Sequence, residues 1–496
     1  MRPIARSAMR KPRCRRHAKP RSRRRASTTR SSASRGRARA SDLLEPEGFD
    51  RSFSFVLKLA RFMLKSAIRR LIPEPIISGY HLALAHLAAA VYGYPSRRLT
   101  VIGVTGTNGK SSTTQFIGRL LEHAGHRVGW TTTAGFKVAD REWVNDKKMT
   151  MLGRFQTQKL LREMVKAGCT HAIVETSSQG IAQFRHVGIA YTVAVFTNLT
   201  PEHIEAHGGF ENYKRAKGKL FAATRGIHII NIDDEHAPYF LSFKADKTYG
   251  YGLAGASQTL PRDAAGVIPV IASDVLLEAS CSSFRVDGHE FHLTPIGRFN
   301  VYNVLSAVAT CRALGLSWEI IQDGVARLES VPGRLESIEE GQGFGVIVDY
   351  AYEPAAMNAV YEALRLLKRG RLIQVLGSAG GGRDVARREI LGRMAAQEAD
   401  VVIVANEDPY DDDPMQIIND VASGATAEGK RDGVDLFRIL DRQEAIDKAI
   451  AMAQSGDLVL LTGKGSEPVM AVENGKKIPW DDRAAARKAL HRRVQS

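Results

Sequence analysis

Short apolar runs alternate with stretches of helical period over most of this chain. Apolar runs end at Val104, and others cover 127–132, 171–175 and 193–198, with helical periodicity over 115–123, 156–167 and 300–314. Runs of this length between turn signals predict buried strands, and their alternation with helices predicts a parallel sheet with functional residues at the strand C-termini. Glu175 and Asn198 stand at two such ends. Residues 250–295 read as short strands and loops. A further alternating block begins near Val331-Pro332-Gly333-Arg334, with strands predicted over 345–349, 372–376, 401–405 and 458–462. It sets Asp349 and Asn406 at strand ends, and a polar helix is predicted from Arg483 onward. The expected fold class is α/β.

The front of the chain follows another pattern. A helix is predicted over 78–92. Residues 53–72 carry Phe55, Leu59, Phe62, Ala67 and Leu71 at helical spacing, with Lys58, Arg61, Lys65, Arg69 and Arg70 between them. This is a basic amphipathic helix, suited to a membrane surface or to packing on the next domain, and Pro73 and Pro75 end it. Residues 1–45 hold Arg, Ser, Ala and Pro with almost no large apolar side chains, so they predict a disordered tail. The domains expected are a basic tail over 1–50, a helical segment over 51–98, and two α/β domains over 99–330 and 331–496.

Charge changes the picture once the tail is set apart. Residues 1–40 carry 14 Arg and 2 Lys and no acid, so 17 less 16 leaves +1 for the remainder. A nearly neutral body gives no reason to expect a specific nucleic-acid groove. The 44% hydrophobic content is that of a soluble globular protein, and no run of 18 apolar residues predicts a membrane span. Four cysteines, Cys14, Cys169, Cys281 and Cys311, lie far apart with no C-x-x-C, which fits a reducing cytoplasm and argues against a zinc ribbon.

The chemistry centres on TVIGVTGTNGKSSTTQ, residues 100–115. A strand leads into Gly103, Gly106 and Gly109, and Lys110, Ser111 and Ser112 open a helix. Backbone donors, a lysine and a hydroxyl in that order make a P-loop-type cradle for phosphates and Mg²⁺. The spacing departs from the strict Walker form, whose first Gly would fall at Val104.

GVTGTNGKSST, VETSSQG, FTNLTPEHIEAHG, YKRAKGKLF, GRFNVYN, VPGRLE, DYAYEP and GKGSE follow one another in the order used by the Mur ligase family. Over about residues 75–480 the chain resembles this family, and within it the branch that adds the third residue to UDP-N-acetylmuramoyl dipeptide. The resemblance implies a central ATPase domain with a parallel-rich sheet and a Rossmann-like C-terminal domain. It also implies amide-bond formation, driven by ATP, through an acyl phosphate. For ATP it implies Gly106, Thr107, Asn108, Gly109, Lys110, Ser111 and Ser112 at the phosphates, and Asn303, Arg334 and Asp349 at base and ribose. For catalysis it implies Lys110, Glu175, His203 and Lys217. Mg²⁺ would be held by Ser111, where relatives usually have Thr, by Glu175 and His203, and by Lys217 as a carbamate. Composition alone would make Lys217 a solvated lysine on a helix, beside Lys214 and Lys219.

The resemblance further implies Thr150, Ser177, Gln183 and Arg185 at the acceptor, with Met151 replacing the second Thr of a pair. For the amino acid it implies Arg383, Glu407, Asp408, Gly463 and Glu467. Tyr352 stands where many relatives have His. Relatives that add diaminopimelate read D-N-P-R where this chain reads Glu407-Asp408-Pro409-Tyr410, followed by Asp411, Asp412 and Asp413. Loss of the Arg in acidic surroundings points to a cationic amino acid such as lysine. No folded UDP domain is recognisable before residue 75, so a UDP-free or lipid-linked acceptor stays open. Two other readings remain: a folylpolyglutamate synthase-like ligase, and a non-ligating nucleotide-binding protein that uses its basic tail on RNA or membrane.

Overall fold

The computed structural model describes residues 74–202, 204–255, 266–367, 370–382 and 385–495. The basic tail, the 53–72 helix, His203 and Arg383 lie outside the described residues. Residues 78–496 make up one compact unit. It opens on the helix Glu74–Val91, close to the bounds the periodicity predicts.

The middle region is built on eleven strands. They are β1 (Thr100–Thr105), β2 (Val128–Thr131), β3 (Gly135–Val138), β4 (Arg141–Val144), β5 (His171–Glu175), β6 (Tyr191–Phe196), β7 (Ile227–Asn231), β8 (Lys247–Leu253), β9 (Val267–Leu277), β10 (Ser282–Val286) and β11 (His289–Leu293). Their order is β11-β10-β9-β8-β7-β6-β1-β5-β2-β3-β4. The β2-β5-β1-β6-β7-β8-β9 core is parallel, as the strand–helix alternation predicts. Both ends turn antiparallel, through β3-β4 and β10-β11. The sheet is therefore mixed. The hairpin turns at Ala139-Asp140 and Asp287-Gly288 are punctuation that periodicity overlooks, because a two-residue turn needs no crossover helix.

β1 shows why these residues make a central strand. Ile102 and Val104 join one core with Phe116, Ile117, Leu120 and Leu121 of the helix Lys110–His123. Val101 joins the opposite core with Leu161, Met164, Leu220 and Phe221. Side chains that alternate faces with period two bury both sides at once, at roughly 1.5–3 kcal/mol for each large apolar side chain. β5 and β6 flank β1 on opposite sides, so the chain reverses direction across the sheet there, and the crevice opens at their C-terminal ends.

The following region has a second sheet, with β12 (Glu336–Ser337), β13 (Gly345–Val348), β14 (Leu372–Leu376), β15 (Val401–Ala405), β16 (Leu436–Ile439) and β17 (Leu458–Leu461) in the order β12-β13-β17-β14-β15-β16. All pairs except β12-β13 are parallel. The hairpin β18 (Val469–Val472) with β19 (Lys476–Pro479) follows. The last helix, Asp482–Gln495, is less polar in its role than its sequence suggests. Ala485, Ala486, Ala489 and Leu490 enter the core, and the Arg442–Asp482 ion pair, with both side chains 0% exposed, pins its first turn.

Candidate active site

The loop after β1 is held open by its glycines. Gly106 has φ 155° and Gly109 φ 78°. A Cβ at Gly106 would collide with Thr197 Oγ1, and one at Gly109 with Asn303 Oδ1, so the loop lies against β6 and the helix Arg298–Ala313 only because these positions lack a side chain. Thr107 N donates to Asn198 O and Asn108 N to Asn198 Oδ1, both at 2.8 Å. Lys110 Nζ donates to Thr107 O, folding its ammonium back over the loop.

Glu175 closes the crevice at the end of β5. Its carboxylate accepts from Ser111 Oγ at 2.7 Å, Thr133 N at 2.8 Å and Thr133 Oγ1 at 3.0 Å. Thr133 Oγ1 also lies 2.9 Å from Thr150 Oγ1. Lys217 is 1% exposed and donates to Gly106 O at 2.6 Å, with its ammonium 4.4 Å above the Tyr213 ring. Burial drives its pKa well below the usual lysine range, and Lys110 adds to the fall against the opposing pull of Glu202 and Glu175. The solvated reading of Lys217 is thus overturned. Its helix, Phe210–Ala222, turns Tyr213, Lys217, Leu220 and Phe221 inward together.

Among the described residues no group of three or more His, Cys, Asp or Glu could hold a metal by itself. The donors that are present, a serine hydroxyl and a carboxylate, are all oxygen. That suits Mg²⁺ held jointly with phosphate oxygens, not a closed protein cage.

A cavity of about 330 Å³ joins the two α/β regions. Lys110, Ser111, Glu175 and Lys217 line it, as do the predicted acceptor residues Thr150, Ser177, Gln183 and Arg185 and the predicted amino-acid residues Glu407, Asp408, Gly463 and Glu467. Ser177 caps the helix Ser178–Ala182 through Gly180 N. Arg185 donates to Gln183 Oε1 at 2.6 Å and to Met151 O, which fixes this wall of the cavity. Gly463, with φ 103°, leaves room for the Glu407 carboxylate, into which a Cβ would run. Burial raises the Glu407 pKa, and Glu407 Oε2 has no hydrogen-bond partner among the described residues.

A second cavity of about 360 Å³ lies on the far side of the loop. Asn303, Arg334 and Asp349 line it with Phe299, Tyr302 and Ala356. Asp349 accepts from Leu335 N at 2.7 Å and Ala351 N at 2.6 Å. Burial raises its pKa, while Arg334 and those N–H groups oppose the rise. Flat apolar walls beside a fixed carboxylate suit a base and its ribose.

Several residues reach the site that the sequence reading did not assign. Asn108 Nδ2 donates to Glu353, and Tyr352 OH to Glu202 Oε1 at 2.7 Å, so both contacts tie the C-terminal region to the middle one. Lys148 and Lys464 meet at Asp408 and Glu467. Lys464 lies inside the GKGSE segment, so spacing could have found it. Lys148 stands 260 positions from Asp408, and nothing in its surroundings marks it. Asp411, Asp412 and Asp413 are exposed and engaged locally. Asp411 accepts from Asn474 N, Asp412 from Gly381 N, and Asp413 caps the helix Pro414–Ala427. They supply no acid to the cavity, so the physical ground for a cationic amino acid falls away.

Two family descriptions match the chain: Mur ligase middle domain over residues 104–311, and Mur ligase, glutamate ligase domain over residues 333–465. A UDP-N-acetylmuramyl-tripeptide synthetase from Roseiflexus sp. (strain RS-1) is 38% identical over 437 residues, which is 84% of each chain. A UDP-N-acetylmuramoyl-L-alanyl-D-glutamate–2,6-diaminopimelate ligase from Geobacillus kaustophilus (strain HTA426) is 37% identical over 85% of each. A solved structure of a ligase with that same description is 29% identical, with a TM-score of 0.52 over 80% of this chain and 79% of its own. Folylpolyglutamate synthase from Mycobacterium tuberculosis shares the fold, with a TM-score of 0.60 at 18% identity over 77% of this chain and 92% of its own.

Proposed function

Because the chain belongs to the Mur ligase family, we propose that it joins an amino acid to the free carboxylate of a muramoyl-peptide at the expense of ATP. The acceptor carboxylate attacks the γ-phosphorus, ADP leaves, and an acyl phosphate forms. The amine nitrogen then attacks the acyl carbon, phosphate leaves, the amide bond forms and a proton is released. Charge grows on the phosphoryl oxygens in the first step, and the backbone donors of residues 109–112 at the helix N-terminus, with Lys110, line the cavity where they can meet it. Mg²⁺, held by Ser111 and Glu175 with His203 and a carbamylated Lys217, would supply further positive charge to the phosphates. Lys217 suits carbamylation because burial favours its neutral amine, the form that adds to CO₂ with loss of a proton. Asn303, Arg334 and Asp349 hold the base and ribose. Contacts between Asn108 and Glu353 and between Tyr352 and Glu202 tie the two regions together beside the cavity, which limits the access of water to an acyl phosphate.

The observation that carries this reading is a single cavity lined at once by the phosphate loop, by Glu175 and Lys217, and by Glu407 and Glu467. Activated acceptor and amine must meet in one water-poor space, and this space offers both walls. The acceptor we propose is UDP-N-acetylmuramoyl-L-alanyl-D-glutamate and the amino acid diaminopimelate, as in the names of the relatives. The site of action is the cytoplasm, where ATP is available, and among the described residues no helix could cross a membrane.

The test is phosphate release from ATP by the purified full chain, screened over amino acids with and without the dipeptide acceptor. Release that requires both the acceptor and diaminopimelate is expected. Release with a folate and glutamate would replace this reading by the folylpolyglutamate one. Hydrolysis indifferent to every pair would overturn ligation.

A further inference from the structure

The amino-acid wall of the cavity contains an ion cluster that spans the two α/β regions. Lys148 Nζ lies 2.6 and 2.7 Å from the two Asp408 oxygens and 3.3 Å from Glu467 Oε2. Lys464 Nζ lies 3.0 Å from Asp408 Oδ2 and 2.5 Å from Glu467 Oε2. Ala471 N donates to Asp408 Oδ1 at 2.6 Å, and Tyr350 OH to Glu467 Oε1 at 2.9 Å. Two cations therefore meet two carboxylates, and each carboxylate oxygen already has a donor.

The two lysines are not equivalent. Lys464 is wholly buried and also donates to Val469 O at 3.0 Å, so it belongs to the C-terminal region's own frame. Lys148 comes from the middle region on a short loop after β4, with its side chain 9% exposed. Its φ of 53° is a left-handed conformation that costs a lysine energy. Asn145 enforces it. Asn145 Nδ2 donates to Thr132 O at 2.9 Å and Met149 O at 3.0 Å, and Asn145 Oδ1 accepts from Lys147 N at 2.9 Å. A strained, braced backbone carrying an ammonium into the partner wall is a device for placing that charge.

We propose that Lys148 is a specificity-determining residue: by saturating Asp408 and Glu467 it denies them to a bare side-chain ammonium, and so selects an amino acid whose side chain carries no net positive charge. This rests on the reading of the Glu407–Glu467 wall as the amino-acid subsite. Of the three carboxylates there, Glu407 alone keeps an oxygen without a partner among the described residues. That oxygen leaves room for one further donor. A second can be accepted only if it expels Lys148 or arrives with a carboxylate that Lys148 can pair with. Lysine brings such a second, uncompensated cation. Diaminopimelate brings a distal ammonium with its own carboxylate, and so no net charge. Burial pushes the Asp408 pKa up, yet Lys464 and Lys148 bring it below the usual range, while burial and Lys464 lower that of Lys148 against the pull of Glu467 and Asp408. The cationic preference expected from Tyr410 and the acidic run is replaced by its opposite.

The experiment is calorimetric binding of lysine and of diaminopimelate to the full chain saturated with a non-hydrolysable ATP analogue and the dipeptide acceptor, for wild type, Lys148→Met and Lys148→Arg, beside the phosphate-release assay. Freeing a charge-assisted acceptor pair should shift the lysine-to-diaminopimelate affinity ratio toward lysine by about tenfold or more in Lys148→Met. Lys148→Arg should keep the wild-type ratio. A simple loss of closure would weaken both ligands alike and leave the ratio unchanged, and an unchanged ratio overturns the proposal. If the ratio is unchanged while turnover still needs acceptor and amino acid, only the role of Lys148 fails. If neither ligand binds and no pair supports turnover, the subsite and the ligase reading fail together.

Discussion

Replacing Lys217 by Met removes an amine that the fold buries at considerable cost. The methionine chain keeps nearly the same volume under the Tyr213 ring, so packing changes little. Two terms then act. Gly106 O loses its donor, which costs about 1–3 kcal/mol at any pH. The second term depends on pH, because the folded pKa lies well below the unfolded value of 10.5. Between those two values the unfolded chain binds a proton that folded Lys217 does not. Wild-type stability therefore rises with pH there, by up to about 1.4 kcal/mol per unit, and the contribution levels off above the unfolded value. Lys217→Met lacks this term. Urea denaturation in CO₂-free buffer between about pH 7.5 and 9.5 measures it, since the hydrogen-bond loss only offsets the curve while the lost titration changes its slope. The wild-type slope should exceed that of the variant. Parallel curves would refute the argument that Lys217 is held neutral, and with it the ground for carbamylation. In the activity assay Lys217→Met should release no phosphate, and Lys217→Ala should recover part of its rate with acetate or formate.

Three further substitutions probe the frame. Glu175→Gln keeps the shape at the end of β5 and removes its charge, so phosphate release should fall by about a hundredfold or more; a fall of less than tenfold in steady-state kinetics would remove Glu175 from the reaction. Gly109→Ala places a Cβ against Asn303 Oδ1 on a backbone with φ 78°, and should raise the KM for ATP while destabilising the fold by about 1–3 kcal/mol, both readable by kinetics and thermal unfolding. Asp482→Ala leaves the Arg442 guanidinium buried without its carboxylate, and denaturant titration should show a loss of about 3–5 kcal/mol.

Local signals in the sequence account for much of the site. The strand–glycine–lysine–hydroxyl order places the phosphate loop because each residue type answers to its own backbone geometry. Glu175 and Asp349 follow from lying at strand ends, and Glu407 from the resemblance alone. Motif order adds Lys217, Gln183 and Arg334. What escapes the sequence is pairing across distance. The Lys148–Asp408 contact joins positions 260 apart, and the Tyr352–Glu202 contact positions 150 apart. The acidic run 411–413 misleads for the complementary reason, since composition says nothing of which way a loop faces. The antiparallel margins of the first sheet escape because periodicity finds strands but not the direction of their neighbours.

Asn108, Gly109, Ser112, Arg334, Tyr350 and Tyr352 line both cavities, so the partition between them is one layer of side chains and loop. For the proposed reaction this has a kinetic meaning. A nucleotide seated on one side would touch the same residues that the acceptor and amine meet on the other. Substrate addition is then ordered, with ATP first and the amine last, and ADP is the final product to depart. ADP should compete with ATP alone, and saturating ATP should leave its inhibition against the amino acid undetectable.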